Sequence, residues 1–245
     1  MAVTRAFRAL LGALSLLAAP GVALAAKSAL FVARAAVPGG SSDAAIRAHL
    51  EAGGWTVTVS EDIPAKLAPC AYDLVLLSST VRSNQFTAER TGIAALRDAD
   101  APLLTWENDL LDDLRLTGRA RDGDFGELET GHYGWLVRAP HPLQAGLPAG
   151  AAVWTQARTS AGWGRPGLGA DIVMTVPGEP AKAMLFGYDR GATMDDDFRA
   201  PARRTFIGLD NASFERLTPD GVKLFDAAVA WTAADLGACP GGKRR

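Results

Sequence analysis

The sequence has little cysteine, little histidine and little net charge, and each shortage argues against a class of function. Its 245 residues include two cysteines and three histidines, and the histidines stand far apart at His49, His132 and His141. A disulfide-dense scaffold and a tetrahedral zinc site are therefore unsupported, and we expect no metal and no cofactor. The net charge of -2 at pH 7 provides no broad basic surface, which argues against nucleic acid as a partner.

What the chain does contain is the composition of a folded domain. Hydrophobic residues make up 48% of it and charged residues 21%, which indicates a globular protein rather than a disordered one. Beyond the N-terminal segment, no stretch is long and apolar enough to span a membrane.

The N-terminal segment has the three-part pattern of a secretory signal peptide. Arg5 and Arg8 precede an apolar run over residues 9–17, and small residues follow up to Ala25. The alternative is a membrane anchor, but a Pro-Gly pair at 20–21 interrupts the run well short of the roughly 20 apolar residues that a spanning helix needs. We therefore predict cleavage after Ala25 and a periplasmic or secreted protein.

Export changes the interpretation of the two cysteines. In an oxidising compartment a pair of thiols favours a disulfide over a redox or metal site. Cys70 precedes an apolar run that predicts a strand, and Cys239 follows the last predicted helix. A crossover helix runs antiparallel to its strands, so both cysteines fall at the amino ends of the strands. The sequence predicts a Cys70–Cys239 disulfide.

The first half of the mature chain alternates strand-like and helix-like segments, which predicts right-handed crossovers and a parallel sheet. The second half is rich in glycine, proline and tryptophan, and its short strand-like runs predict an antiparallel extension of the same sheet. We expect one α/β domain over residues 26–245, built as a three-layer sandwich with a mainly parallel sheet. The predicted strands are 29–33, 55–59, 74–77, 102–106, 134–137, 152–154, 171–176, 183–186 and 204–209, and the predicted helices are 42–50, 84–97 and one that begins after Thr218.

The first predicted strand (29–33) and five later segments together carry a resemblance to a known group of proteins. The sequence resembles the class I glutamine amidotransferase-like superfamily, and within it the ThuA-like (trehalose-utilisation) branch and its secreted relatives. This resemblance implies a flavodoxin-like α/β sandwich. The five later segments are DLVLLSS (73–79), PLLTWE (102–107), HPLQAGL (141–147), ARRTFIGLDN (202–211) and LTPDGVKLFDAAVAWTA (217–233).

The catalytic pattern of that superfamily does not carry over. Amidotransferase members place a cysteine on a tight turn after a strand, whereas the matching segment here, residues 104–108, contains none. The serine elbow Gly-x-Ser-x-Gly of hydrolases is also missing from the sequence. Asp210 and Asn211 stand where ThuA-like sequences often have Gly-His. Glutaminase activity is therefore not expected.

Ligands of open α/β sheets bind at the carboxyl ends of the strands, and polar residues follow several predicted strands. Glu107 is the leading catalytic candidate, because burial just past a strand can raise the pKa of a carboxyl group. The competing interpretation is that Glu107 only caps the turn that follows it. The other candidates for ligand binding are Arg34, Ser78, Ser79, Trp106, Asp109, Trp163 and Asn211.

Two further segments have open interpretations. Trp163 lies in a glycine-rich stretch and is either an exposed platform for a sugar ring or an indole that seals the sheet. The acidic segment 122–129 fits the ligand spacing of a calcium loop only in part, so we expect a solvated acidic loop.

Two functional hypotheses follow from these residues. The first is an exported, non-catalytic binding or interaction module whose partner is a small molecule, a carbohydrate or an envelope protein. The alternative is a sugar-directed hydrolase or isomerase of ThuA-like type that uses Glu107 and Asp109. A pocket in which Glu107 is buried beside a second titratable group favours the enzyme, and a filled crevice favours the module.

Overall fold

The computed structural model describes residues 27–63, 71–86, 92–137 and 140–235. The predicted signal peptide, Cys70 and Cys239 lie outside these residues, so its cleavage and their disulfide stay predictions. Among the residues described, no helix has the length and apolar character needed to cross a membrane.

The described chain forms eleven strands and three α-helices. The helices are α1 (Asp43–Ala52), α2 (Ile93–Arg97) and α3 (Pro219–Ala233). The strands are β1 (Lys27–Val32), β2 (Trp55–Ser60), β3 (Leu74–Leu77), β4 (Leu103–Thr105), β5 (Phe125–Leu128), β6 (Tyr133–Leu136), β7 (Gly150–Val153), β8 (Ala161–Gly164), β9 (Asp171–Val176), β10 (Glu179–Tyr188) and β11 (Arg204–Ile207).

All eleven strands belong to one mixed sheet. Its main path runs β2-β1-β3-β4-β11-β10-β9-β6-β7, and β8 pairs with both β10 and β5. The five strands β2, β1, β3, β4 and β11 pair in parallel, and every pairing of β5 to β10 is antiparallel. The prediction of a mainly parallel sheet is therefore wrong, because β5 to β10 pair only in antiparallel fashion. As predicted, this antiparallel part comes from the second half of the chain.

Short connections explain the antiparallel part. A parallel crossover needs a dozen or more residues, whereas two residues join β9 to β10. One of them, Gly178, has φ of +81°, a conformation that tight hairpin turns require and that glycine adopts without steric cost.

Both faces of the parallel part are covered. Along β1, Ala29 and Phe31 belong to one core and Leu30 and Val32 to the other, which explains why this strand is an uninterrupted apolar run. Helices α1 and α3 pack on the first face. The second face is covered by α2 and by the irregular segment 110–116, so one outer layer of the predicted sandwich is only partly helical.

The helix ends differ in how well the sequence predicted them. Helix α3 begins as expected, with Pro219 in its first turn and the Thr218 hydroxyl accepting a hydrogen bond from the Gly221 amide at 3.1 Å. Ser42 stands at the start of α1, but its hydroxyl donates to Glu215 Oε2 at 3.3 Å instead of capping. Of the helix predicted over 84–97, the described residues contain a short 3-10 turn at Ser83–Gln85 and α2. Helix α2 starts after Gly92, whose φ is +57°.

A buried guanidinium group ties β11 to the turn before β4. Arg204 is fully buried and donates to the carbonyl oxygens of Arg97, Ala99 and Ala101 at 3.1, 2.6 and 2.8 Å. Burial lowers the pKa of Arg204 to about 10, so the group stays charged at neutral pH. Its donors satisfy carbonyl groups that the end of α2 leaves without helical partners.

Candidate active site at the carboxyl ends of the strands

A polar crevice of about 140 Å³ opens where β3, β4 and β11 end. These strands are parallel neighbours, so the residues that follow them meet at one edge of the sheet. Ser79 follows β3, Glu107 follows β4 and Asn211 follows β11, while β5 and β8 supply the opposite wall. Its polar lining comprises Ser79, Ser83, Glu107, Asn108, Asp109, Glu127, Ser160, Asp210 and Asn211.

Glu107 lies at the centre of this arrangement, and its two carboxyl oxygens have different roles. Its side chain is 4% exposed. Oε1 accepts a hydrogen bond from the Asp109 amide at 2.8 Å, which caps the short turn 108–110. Oε2 bonds to none of the described residues and is open to the crevice. Glu107 is thus both the predicted cap and a group available to a ligand.

Burial makes Glu107 a proton donor. Desolvation raises its pKa from 4.5 to about 8, the charges of Asp109 and Glu127 add to the increase, and the Asp109 amide and the charge of Arg121 oppose it. At neutral pH the carboxyl group is therefore protonated, in a crevice where it can donate to a bound oxygen.

Three further carboxyl groups surround Glu107. Asp109 forms an ion pair with Arg121, with Oδ1 3.4 Å from Nη2. Partial desolvation raises the pKa of Glu127, and the charges of Asp109 and Asp210 add to the increase. Glu127 is exposed, and its side chain makes no hydrogen bond or ion pair with any described residue. Asp210 accepts a hydrogen bond from the Thr159 hydroxyl at 3.4 Å. The described lining of the crevice holds four acidic side chains and no lysine, arginine or histidine.

Of the two serines predicted to bind ligand, only Ser79 lines the crevice. Its hydroxyl donates to Asn211 Oδ1 at 2.8 Å and so joins the ends of β3 and β11. Ser78 points elsewhere, because its hydroxyl and that of Thr80 both donate to the carboxylate of Asp43 at 2.7 Å. Asp43 is buried at the start of α1, and desolvation raises its pKa. This network fixes the loop that presents Ser79.

Three other candidates, Arg34, Trp106 and Trp163, lie away from the crevice. Arg34 lines a separate surface pocket with Glu61 and Arg82. Trp106 is buried in the core, with its ring 5.6 Å from that of Phe31.

Trp163 is 3% exposed, so the interpretation of this indole as an exposed sugar platform is wrong. It lies on β8, and the Lys182 ammonium sits 4.7 Å from its ring centre. Among the described aromatic residues, the exposed ones are instead Tyr133 and Trp135 on β6, at 52% and 47%.

Sequence reasoning missed Glu127 because it missed the strand that carries it. The segment predicted as a solvated acidic loop contains β5, which pairs with β8 and turns Glu127 toward the crevice. The only signal was the apolar flank of Phe125 and Leu128, which is too short to identify a strand with an acidic residue and a glycine inside it.

The comparison with solved structures bears on the fold. A structure described as a ThuA-like protein from Bacteroides uniformis superposes with a TM-score of 0.57, at 11% identity, over 91% of this chain and 99% of the other. A second ThuA-like protein, from Parabacteroides merdae, gives a TM-score of 0.51 at 14% identity over 90% and 93% of the two chains. The chain has the ThuA-like fold.

This finding confirms the resemblance seen in the sequence at the level of fold. A glutamine amidotransferase from Thermotoga maritima is more distant, with a TM-score of 0.43, 10% identity and coverage of 84% and 81%. No protein-family model matches the sequence, and no curated protein sequence matches it significantly. The crevice lies at the strand ends of this fold. Because a fold alone does not determine function, the function is inferred from the residues that line the crevice.

Proposed function

We propose that this protein is a general acid–base enzyme that acts on a small, sugar-like substrate, with Glu107 as the general acid. The observation that carries the proposal is the Glu107 carboxyl group, which is buried, protonated at neutral pH and open to a polar crevice through Oε2. This is the arrangement that distinguishes an enzyme from a filled, structural crevice.

The neighbouring carboxylates complete the chemistry. Hydrolysis of a glycosidic bond needs an acid that protonates the leaving oxygen and a base that takes a proton from water. An isomerase likewise needs one group that removes a proton and one that supplies it. Glu107 is held protonated, while Asp109 is paired with the Arg121 guanidinium group, so we assign the two neighbours opposite roles.

The size and lining of the crevice support a substrate of this class. Its volume of about 140 Å³ is close to the roughly 150 Å³ of a cavity that holds one benzene molecule, so the substrate is a small molecule. Serine, asparagine and carboxyl groups line it, and these are suitable partners for hydroxyl groups.

Glutaminase chemistry is not part of the proposal. The resemblance seen in the sequence implies that Glu107 and Asn108 stand where amidotransferases carry their cysteine, and the described lining of the crevice includes no cysteine. We further propose that the five parallel strands, in the order β2-β1-β3-β4-β11, form a flavodoxin-like core, and that the protein acts after export and removal of residues 1–25.

The test is turnover of a panel of glycosides and sugar lactones by the wild type, Glu107→Gln and Glu129→Gln. Glutamine keeps the shape of Glu107 but cannot donate its proton, so turnover should fall about 100-fold or more. The wild-type rate should also fall above about pH 8, where Glu107 loses its proton. Glu129 is exposed and outside the crevice lining, so Glu129→Gln controls for the loss of one charge.

The second candidate is a non-catalytic binding module, favoured by the hydrogen bond that makes Glu107 a cap. Unchanged turnover in Glu107→Gln would remove this residue from catalysis. A wild type that binds members of the panel without converting any of them would support the module, with a carbohydrate, another small molecule or an envelope protein as its partner.

A further inference from the structure

The titratable side chains that line the crevice are all acidic. Glu107, Asp109, Glu127 and Asp210 all line it, and no cationic side chain of the described chain does. Arg121 is the cation that acts on these carboxyl groups, but its side chain is 67% exposed and is paired with Asp109 at the rim. Apart from Glu107, three acidic side chains line the crevice, against this one guanidinium group.

Two of the carboxyl groups have unused capacity for hydrogen bonds. Glu107 is nearly fully buried, yet its Oε2 bonds to no described residue and is open to the crevice. Glu127 is exposed, and its side chain makes neither a hydrogen bond nor an ion pair with any described residue. The free oxygens of both carboxyl groups can therefore accept hydrogen bonds from a bound ligand.

The two observations together select a class of ligand. A ligand with a carboxylate or phosphate group would face like charges at close range, which disfavours it. A metal ion would need several ligands converging at fixed distances, and no group of three acidic, histidine or cysteine side chains among the described residues is placed to hold one. An ammonium group has three donors that can rotate toward separate acceptors, as the similar group of lysine does.

We propose that the ligand of this crevice is a small polar molecule that carries a protonated primary amine, the chemistry shared by amino sugars and short polyamines. The amine lies against Glu127 and Asp210, and a ring or chain oxygen of the same molecule accepts the proton of Glu107. The proposal rests on the crevice as the substrate site of the proposed function and defines which sugar-like substrates it prefers.

Binding measurements separate this proposal from the catalytic one. We would measure the dissociation constants of glucose, glucosamine and glucuronate by calorimetry with the Glu107→Gln variant, which is expected not to turn them over. At about pH 6 primary amines are protonated, and a hydrogen bond to a charged group is stronger than one between neutral groups. Glucosamine should therefore bind about 10-fold more tightly than glucose, and glucuronate more weakly than either. Added salt should reduce the preference for the amine.

Variants locate the amine within the crevice. Glu127→Gln should remove most of the preference for glucosamine over glucose, whereas Glu129→Gln removes the same charge outside the crevice and should keep it. Equal binding of glucose and glucosamine, or tighter binding of glucuronate, would overturn the proposal. Loss of the preference in both variants to the same degree would also overturn it, because the effect would then be one of overall charge.

A diamine distinguishes the two proposals from one another. If no sugar binds but 1,4-diaminobutane does, and Glu127→Gln weakens it, the amine site stands and the sugar-directed function fails. If sugars are turned over with no preference for an amine, the catalytic proposal stands and the amine site fails. Magnesium chloride alone serves as a further probe, and tighter binding of this divalent cation than of the diamine would overturn the assignment of an amine.

Discussion

Glu107 shows at the scale of one residue how a single side chain serves both stability and chemistry. The oxygen that caps the turn after β4 fixes the carboxyl group, and burial then holds the proton on it. The pKa is raised from 4.5 to about 8, so folding takes up a proton between these pH values. The contribution of Glu107 to the free energy of unfolding therefore falls as the pH rises through this interval and levels off above about pH 8.

The prediction at this scale is that Glu107→Gln is more stable than the wild type in neutral and mildly alkaline solution. The amide oxygen of glutamine can still accept the hydrogen bond from Asp109, and glutamine has no proton to lose. Thermal melts between about pH 4 and 9 should show the advantage of the variant growing from about pH 4.5 to about pH 8 and then staying constant. Melting curves that differ by the same amount at every pH would contradict the raised pKa, and Glu129→Gln should run parallel to the wild type.

At the scale of elements, close packing explains why some strands could be predicted and others could not. The apolar runs of β3 and β9 gave correct boundaries, because burial on both faces leaves a continuous signal. Strands β5 and β8 contain glycines, which in the sequence are more typical of loops than of strands. In the structure Gly126 lies under the Trp163 ring, where a Cβ would come within 3.0 Å of Cζ2. Gly126 leaves space for the ring of Trp163, which lies on a strand distant in sequence, so this contact has no local signal.

A similar close approach sets the distance between α3 and the sheet. At Gly187 on β10, a Cβ would lie 2.6 Å from Cζ3 of Trp231 and 3.1 Å from Cδ1 of Leu143. The Trp231 ring is also held by the Arg203 guanidinium group, 4.3 Å from its centre. The ring therefore has little room to move away from the added atom.

We predict that Gly187→Ala destabilises the protein by about 1–3 kcal/mol, the usual cost of overpacking a core. Denaturant unfolding gives the difference directly. Combining the change with Trp231→Phe, which shortens the ring, should restore part of the lost stability, and Trp231→Phe alone provides the reference for the double-mutant comparison. A single Gly187→Ala variant as stable as the wild type would show that α3 is free to shift.

At the scale of the whole molecule, local sequence predicted the α/β class and one edge of the site, but not the proportion of parallel to antiparallel strands in the sheet. Glu107, Asp109, Ser79 and Asn211 were expected together because they follow strands that a parallel sheet places side by side, and all four line the crevice. Glu127 could not be predicted, because it reaches the crevice only through the antiparallel pairing of β5 with β8. The exposure of Trp135 could not be predicted either, because the strands that pair with β6 determine what covers each face of that strand.

The topology also bears on the predicted disulfide, although both cysteines lie outside the described residues. Asp235, just past α3, accepts a hydrogen bond from the Arg203 amide at 2.6 Å, so the end of α3 lies at the amino end of β11. β4 alone separates β11 from β3, which is a distance of roughly 10 Å between strands. Cys239 follows Asp235 by four positions and Cys70 precedes Asp73 by three. At about 3.3 Å or more for each position, these two lengths of chain can span that distance.

We therefore predict that the exported protein contains no free thiol. Thiol titration of the denatured, unreduced protein should detect none, and Cys239→Ser should expose one, at Cys70. Closing so long a loop stabilises a protein by roughly 4–5 kcal/mol in the chain-entropy model, so reduction of the wild type should lower its melting temperature, and the same treatment should leave Cys239→Ser unchanged. Two titratable thiols in the exported wild type would rule out the bridge. Because the pairing depends on an oxidising compartment, protein made inside the cell without residues 1–25 should show two thiols until it is oxidised.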